Sequence, residues 1–329
     1  MASTIKEIAS KAKVSIATVS RALNNDSRVA EETQKKIQDL AVQLNYRPNV
    51  LARNFVKKKS NILGMILPEI SDEFFTEIIK GVDEITYKNG YYTIVVSSHK
   101  YESLEEEIIT FIHNGLFSGL ILLLSDLRPE LESVLIESHI PVVLINSNPK
   151  VKNFDTIAID NYEGSYEMTR HLIKKKGYTR LGHITGPAQN DDALLRQEGF
   201  INACSKYNVK YSIEQGNFTR ESGYEGCKLL MNSKKDLQVI FAANDMMAIG
   251  CYDFIKEQGL KIPGDIGVVG FDDIFVSQYL TPPLTTVRAR IEEIGKNAAD
   301  ILIKRITEEI PSAKLTIKAS SELIVRNSC

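Results

Sequence analysis

"TIKEIASKAKVSIATVSRALNN", residues 4–25, is the stretch whose reading decides how this chain begins. Thr4 followed by Glu7 fits a capping box, a hydroxyl and a carboxylate that close the first turn of a helix. Ile5, Ile8, Ala9 and Ala12 then fall on one apolar stripe at helical spacing. Ser15 is a second N-cap candidate, and Val19, Ala22 and Leu23 line the inner face of the helix it starts. About three residues separate the two helices, which is the helix-turn-helix layout. Ile16, Ala17, Thr18 and Arg21 are left pointing outward near the start of the second helix, where such helices meet base edges in the major groove. A third helix, from Glu31 to Leu44, closes a three-helix core with Ile37, Leu40, Ala41 and Leu44.

Charge points the same way. Residues 1–60 hold 12 Lys/Arg against 5 Asp/Glu, a net +7, whereas the remainder holds 28 against 37, a net −9. A small basic head on an acidic body implies a polyanionic partner for the head alone. Between them lies "PNVLARNFVKKKS", residues 48–60. Linkers are usually small and polar, yet this one carries Leu51 and Phe55 at a spacing that puts both on one helical face.

"VSIATVSRALN", "NYRPN" and "LARNF", in that order and spacing, resemble the DNA-binding region of the lactose-repressor/galactose-repressor (LacI/GalR) family. The resemblance implies a hinge helix after "YRPN". Two hinge helices of a homodimer would sit side by side in the minor groove of a palindromic operator, and an apolar residue from each would wedge between base pairs. Phe55 falls at the wedge position, where the family usually has leucine. Val50 would face the partner hinge, and Arg53 and the lysines 57–59 would lie near phosphates. Apolar wedges unstack a base step and bend the duplex. A helix of about eight residues is marginal alone in water, so it is expected to order on DNA or against its twin. By the same resemblance, DNA contacts are implied for Thr4, Ser15, Ile16, Ala17, Thr18, Ser20, Arg21 and Asn24 in the head. Tyr46, Asn49, Leu51, Ala52, Arg53 and Phe55 would supply the rest at the hinge. Two positions depart from the family pattern. Lys13 stands where glycine is usual in the helix-helix turn, and a positive φ there costs lysine about 1 kcal/mol. Ala30 stands where a serine N-cap is usual, at a further cost of about 1 kcal/mol.

From Ile62 onward, strands alternate with helices. "ILGMILP", "YYTIVVSS", "GLILLL", "PVVLIN" and "TIAID" are strands of a first half, with helices over 72–89, near 103–114 and over 129–138. A second series runs from a helix over 162–176 through "RLGHITG", a helix over 192–207, a strand around 211–216 and a helix over 220–232. It continues with "VIFAAND", a helix over 246–258 and "IGVVGFDD". Continuous apolar strands alternating with helices mean parallel sheets covered on both faces. The expected architecture is therefore a small all-α helix-turn-helix head and an α/β body of two doubly wound parallel-sheet lobes. The expected boundaries are 1–47 for the head, 48–61 for the hinge and 62–329 for the body. The first lobe would take 62–160 and 291–320, the second 161–290 and 321–329.

Ligands of such sheets sit at the carboxyl ends of strands. The polar and aromatic residues just after these strands are Phe74, Asn146, Asp160, Asp192, Arg196, Phe218, Asn244, Asp245 and Asp272. A single Asp or Asn after a strand is more often a cap or turn residue; several at matching strand ends are united only by the cleft between the lobes. The body also resembles the LacI/GalR effector domain, which has the two-lobed periplasmic-binding-protein type of fold. The matching stretches are "RQEGF" at 196–200, "AANDMMAIG" at 242–250, "VVGFDD" followed by "TPPLTTVRA", and "ELIVR". That resemblance implies effector contacts from Phe74, Asn146, Asp192, Arg196, Phe218, Asn244 and Asp272, while Asp160 and Asp245 read as structural. Arg196 and Asp272 suit a polyol, since a guanidinium donates to hydroxyls and a carboxylate accepts from them. Phe74 and Phe218 would cover the apolar face of a sugar ring. Asn146 replaces a usual aspartate, and Asp192 a usual small hydroxyl. Asp72 and Glu73 stand where Asn-Pro is typical. An added carboxylate argues against an anionic effector such as a sugar phosphate. On this reading, Arg196→Ala or Asp272→Ala should abolish the effector response and leave operator binding intact.

The chain of 329 residues, with 43% hydrophobic and 25% charged residues, has the composition of a globular protein. Cys204, Cys227, Cys251 and Cys329 show no metal-ligand or disulfide spacing, so a reduced, cytoplasmic setting is expected and no cofactor or metal is called for. No signal sequence and no membrane-spanning run is legible. Nor is a P-loop, nucleophile elbow or HExxH, so an enzyme is not expected. The expected function is a ligand-responsive, sequence-specific regulator of transcription, a repressor of carbohydrate-utilisation genes with a sugar as effector. A soluble sugar-binding receptor without DNA function would share the body but leave the basic head unexplained.

Overall fold

The computed structural model describes residues 4–23, 25–46, 60–68, 73–97, 106, 108–112, 115–124, 127–145, 152–233 and 236–329. The chain divides into two compact units, Met1–Ser60 and Asn61–Cys329.

The first unit is built from α1 (Ile5–Ala12), α2 (Ile16–Leu23) and α3 (Glu31–Gln43). The capping box forms as the sequence demands: Glu7 N donates to Thr4 Oγ1, and Thr4 N donates to Glu7 Oε2 at 2.9 Å. Ser15 Oγ accepts from Thr18 N at 3.1 Å and so opens α2. Ile8, Ala9, Ala12, Val19, Ala22, Ile37 and Ala41 are buried together, with Ile5, Leu23, Leu40 and Leu44 packed against them. Lys13 ends α1 in the left-handed region with φ 57°, and Ala30 precedes α3 with no side-chain cap. Both departures noted in the sequence are therefore present as local strain or lost capping.

The second unit carries two parallel sheets. The first has the order β11-β5-β4-β3-β1-β2, with β1 Ile62–Leu67, β2 Tyr92–Ser97, β3 Gly119–Leu123, β4 Val142–Ile145, β5 Asp155–Ile159 and β11 Thr316–Ala319. Side chains of β1 alternate between its faces. Leu63, Met65 and Leu67 join Ile78 and Val82 of α4 (Glu73–Lys88) and Ile294, Ala298 and Leu302 of α10 (Ile291–Ile306). Ile62 and Ile66 join Ile108 and Ile112 and, from α5 (Pro129–Ser138), Leu131 and Leu135. The helices α4 and α10 cross so closely that a Cβ on Gly81 would lie 2.1 Å from the Glu292 carbonyl oxygen, and one on Gly295 would lie 2.3 Å from that of Ile78. No larger side chain fits that crossing.

The second sheet has the order β7-β6-β8-β9, with β6 Arg180–Thr185, β7 Lys210–Gln215, β8 Val239–Ala242 and β9 Gly267–Val269. One face packs Leu181, Val239 and Phe241 on α6 (Asn161–Lys174) and α7 (Asp191–Lys206) through Met168, Leu172 and Phe200. The other packs Ile184, Ile240 and Val268 on α8 (Arg220–Ser233) and α9 (Asp245–Glu257) through Leu230, Met247 and Ile255. Burying a Leu or Ile side chain contributes about 1.5–3 kcal/mol, so both faces must be covered for the sheets to stand. Three crossings link the lobes: after β5, between β10 (Thr286–Arg288) and α10, and between β11 and β12 (Glu322–Ile324), which pairs antiparallel with β10. The strands after residue 273, β10, β11 and β12, are three or four residues long, too short for alternation to register in the sequence.

Candidate functional site

In the head, α2 presents Ile16, Ala17, Ser20 and Arg21 to solvent, with Thr18 half-exposed; Ile16 is 45% exposed. Ile16 lies outside the buried cluster that holds the three helices together. Thr4 is exposed at the start of α1, and Tyr46 is half-buried against the three-helix core. Asn24, Asn49, Val50, Leu51, Ala52, Arg53, Phe55 and Lys57–Lys59 lie outside the described residues, as do Asn146 and Asp72 of the body.

In the body, five of the seven effector-site candidates form one connected set at the carboxyl ends of the second sheet. Arg196, one turn into α7, is its centre and is 3% exposed. Its Nη2 pairs with Asp272 Oδ1 at 3.0 Å. Its Nε donates to Asn161 Oδ1 at 2.7 Å, and Nη1 donates to the Ala243 carbonyl at 2.5 Å. The guanidinium carbon sits 3.9 Å from the ring centroid of Phe271 and 5.7 Å from that of Phe218. Asn161 passes the chain on, donating through Nδ2 to Asp192 Oδ1 at 2.7 Å. The result is a relay, Asp192–Asn161–Arg196–Asp272, in which one guanidinium lies between two carboxylates.

Phe218 takes a backbone conformation that a bulky residue rarely adopts, φ 71°. Two neighbours hold it there. Asn244 Nδ2 donates to the Phe218 carbonyl at 3.0 Å, and Gly186, just past β6, leaves room for the ring: a Cβ on it would lie 2.3 Å from Phe218 Cζ. Asn244 also caps α9 by accepting from Met247 N at 2.9 Å, so both ends of its amide serve to position other groups. Phe74 lies in α4 of the other lobe, half-buried and edge-on to Phe75 at 5.4 Å.

Asp272 and Asp273 both carry positive φ, 109° and 59°. Such residues cost roughly 1–3 kcal/mol each and persist only where surrounding structure imposes them. Here that structure is ionic. Asp273 accepts from Arg288 Nε at 2.7 Å and pairs with Arg326 Nη2 at 2.7 Å. Asp245, wholly buried, accepts from Ile274 N, Ser277 Oγ and Thr286 Oγ1 at 3.1, 2.6 and 2.6 Å. Burial pushes its carboxyl up to about 7 against the pull of those hydrogen bonds. Asp160 caps α6 by accepting from Glu163 N at 3.2 Å and pairs with Lys318 at 2.7 Å. Both aspartates hold backbone.

The sequence did not single out Asn161 and Phe271. Asn161 sits one residue past a candidate strand end and Phe271 one before Asp272, but nothing in their spacing says that both would touch Arg196.

Residues 4–49 match the profile of bacterial regulatory proteins of the lacI family, and residues 169–329 match that of a periplasmic binding protein-like domain. The chain is 31% identical to the HTH-type transcriptional repressor PurR of Vibrio campbellii over 99% of its own length and 98% of the relative's. The chain belongs to the LacI family. It is likewise 31% identical to the repressor CytR of Escherichia coli, covering 99% of this chain and 96% of that one. Among solved structures, the lac repressor dimer bound to operator and the anti-inducer ONPF superposes with a TM-score of 0.84 at 25% identity, covering 100% of this chain and 99% of that one. The regulator CelR with cellobiose superposes at 0.76 and 25%, covering 99% and 100%. The protein is thus a LacI-family transcriptional regulator with a DNA-binding head and an effector-responsive body. Among the described residues no helix is long and apolar enough to cross a membrane.

Proposed function

We propose that this LacI-family regulator is a repressor that binds a palindromic operator as a homodimer and takes an uncharged, hydroxyl-rich ligand between the lobes of its body, a neutral sugar. The observation that carries the ligand class is the relay Asp192–Asn161–Arg196–Asp272 beside the ring of Phe218. Two carboxylates flank one guanidinium, so the described polar set has an excess of acceptors and a net negative charge. A phosphate or carboxylate ligand would meet repulsion; a polyol donates to the carboxylates and lays its C–H face on an aromatic ring. Arg196 is held by three protein groups, so in this reading it orients Asp272 and Asn161 as much as it touches ligand. Asn244 acts by positioning Phe218. The likeness to regulators solved with cellobiose and with ribose supports the same class.

In the head, Ile16 and Ala17 read bases from the start of α2 and Arg21 reads or anchors beside them, while phosphate contacts supply most of the affinity. The hinge reading, with Phe55 as the wedge, rests on the "LARNF" stretch alone.

Two measurements test this. A thermal-shift panel of neutral mono- and disaccharides against sugar phosphates should give stabilisation only in the neutral set; stabilisation by a sugar phosphate alone would refute the ligand class. Selection from random duplex DNA should return a palindrome, and a non-palindromic motif would refute the dimeric operator.

A further inference from the structure

We propose that Glu73 is a clasp between the two lobes that sets how far the effector cleft opens, a positioning residue for a site it does not line. Glu73 is the first residue of α4, in the first lobe, and is half-buried. Its Oε1 accepts from Phe275 N at 2.8 Å and its Oε2 from Val276 N at 3.5 Å, across 202 and 203 residues of chain. Those two amides open the 3-10 helix Phe275–Tyr279 in the second lobe. The first amides of a helix have no acceptor within it, and the residue ahead, Ile274, caps with no side chain. The cap therefore comes from the other lobe, and it is a carboxylate, the group that a helix start favours.

Both ends of this contact are anchored. On the second-lobe side, every residue leading into it is tied inward. Asp272 is held by Arg196, Asp273 by Arg288 and Arg326, and Ile274 N and Ser277 Oγ by Asp245. On the first-lobe side, α4 is locked to α10 through the close crossing at Gly81 and Gly295. Neither end yields when the lobes part, so opening the cleft must pull the carboxylate from the two amides. The consequence for function rests on the effector reading given above. Phe74 follows Glu73 directly, and Asp272 precedes Phe275 by three residues, so the clasp fixes one candidate contact from each lobe relative to the other.

The test uses the full chain without any ligand. Amide exchange at Phe275 and Val276 is compared among wild type, Glu73→Ala and Glu73→Gln, with Ile240 and Phe241 of the second sheet as internal references. In the same three backgrounds, spin labels at Tyr87→Cys in α4 and Leu229→Cys in α8 report the distance between lobes, with labelled chain diluted in unlabelled. Those positions are 78% and 52% exposed, and the four native cysteines are buried. Glu73→Ala should speed exchange at both amides at least tenfold, leave the references unchanged and broaden the distance distribution. Glu73→Gln keeps one acceptor oxygen and should fall between, and it carries the test if the alanine variant does not fold. Unchanged exchange, or faster exchange with an unchanged distance distribution, would overturn the clasp. A sugar panel that fails to stabilise wild type would instead refute the effector reading and leave both measurements standing.

Discussion

Replacing Arg196 with methionine keeps the volume of the side chain and removes its charge and its donors. Sequence alone suggested that Arg196 could be deleted with loss of effector response only. The structure changes that expectation, because Arg196 is a core residue of the second lobe. Its side chain is 4% exposed and its partner Asp272 6% exposed. Breaking such a buried pair from one side costs about 3–5 kcal/mol, since the other charge is left unpaired. Asn161 Oδ1 and the Ala243 carbonyl lose their donors as well, at roughly 1–3 kcal/mol for each buried group that finds no substitute. These terms overlap, and a total of about 4–6 kcal/mol is expected, a large share of the 5–15 kcal/mol that typically holds a protein folded. The assay is urea unfolding followed by circular dichroism, since the chain has no Trp, run as a double-mutant cycle with Asp272→Asn. The two single changes share one interaction, so the double variant should be more stable than their sum predicts by at least about 2 kcal/mol. Strict additivity, or an Arg196→Met variant as stable as wild type, would refute the relay as a load-sharing network. Asp272→Asn alone is the cleaner probe of ligand binding, because it preserves shape.

Three further outcomes are expected. Gly186→Ala should weaken effector binding at least tenfold while leaving operator affinity within twofold, because the new Cβ displaces the Phe218 ring; isothermal titration beside a mobility-shift assay separates the two. DNA affinity should fall with a log–log salt slope near −7 if the +7 head of each protomer contributes to neutralising about eight phosphates per dimer, and a slope near zero would remove the electrostatic reading. Two opposed contributions should nearly cancel in the pH dependence of stability between about pH 4 and 6.5, and single substitutions should unmask each. Asp245 is raised from 3.8 to about 7 by burial, so its contribution is fully present below about pH 4 and lost, by about 4 kcal/mol, as pH rises through 7. Burial lowers His183 from 6.5 to about 4, so the unfolded chain takes up its proton first and about 3 kcal/mol is lost as pH falls from 6.5 to 4. Asp245→Asn should leave only the second slope and His183→Gln only the first, read from urea midpoints at pH 4.5 and 7.

What the amino-acid order determined by itself is the set of local decisions. Thr4, Glu7 and Ser15 place helix starts by chemistry that acts over three residues, and the apolar stripe of α1 closes the head because 3.6-residue periodicity survives any tertiary context. The long buried strands of the body are equally plain, since strands covered on both faces must be apolar throughout. The strand-end rule then drew attention to Asp192, Arg196, Phe218, Asn244 and Asp272, and the tertiary structure joins these five. What only the tertiary structure decided is the role each plays. Asn161 and Phe271 meet Arg196 because α6, α7 and the turn after β9 converge, and no spacing along the chain encodes that meeting. Asn244 became a positioning group when its amide found the Phe218 carbonyl. Glu73 reads in the sequence as one more acidic residue at a helix start. It caps the helix start at Phe275, 202 residues away, because two lobes, each folded by its own local rules, bring its carboxylate and those amides to the same place.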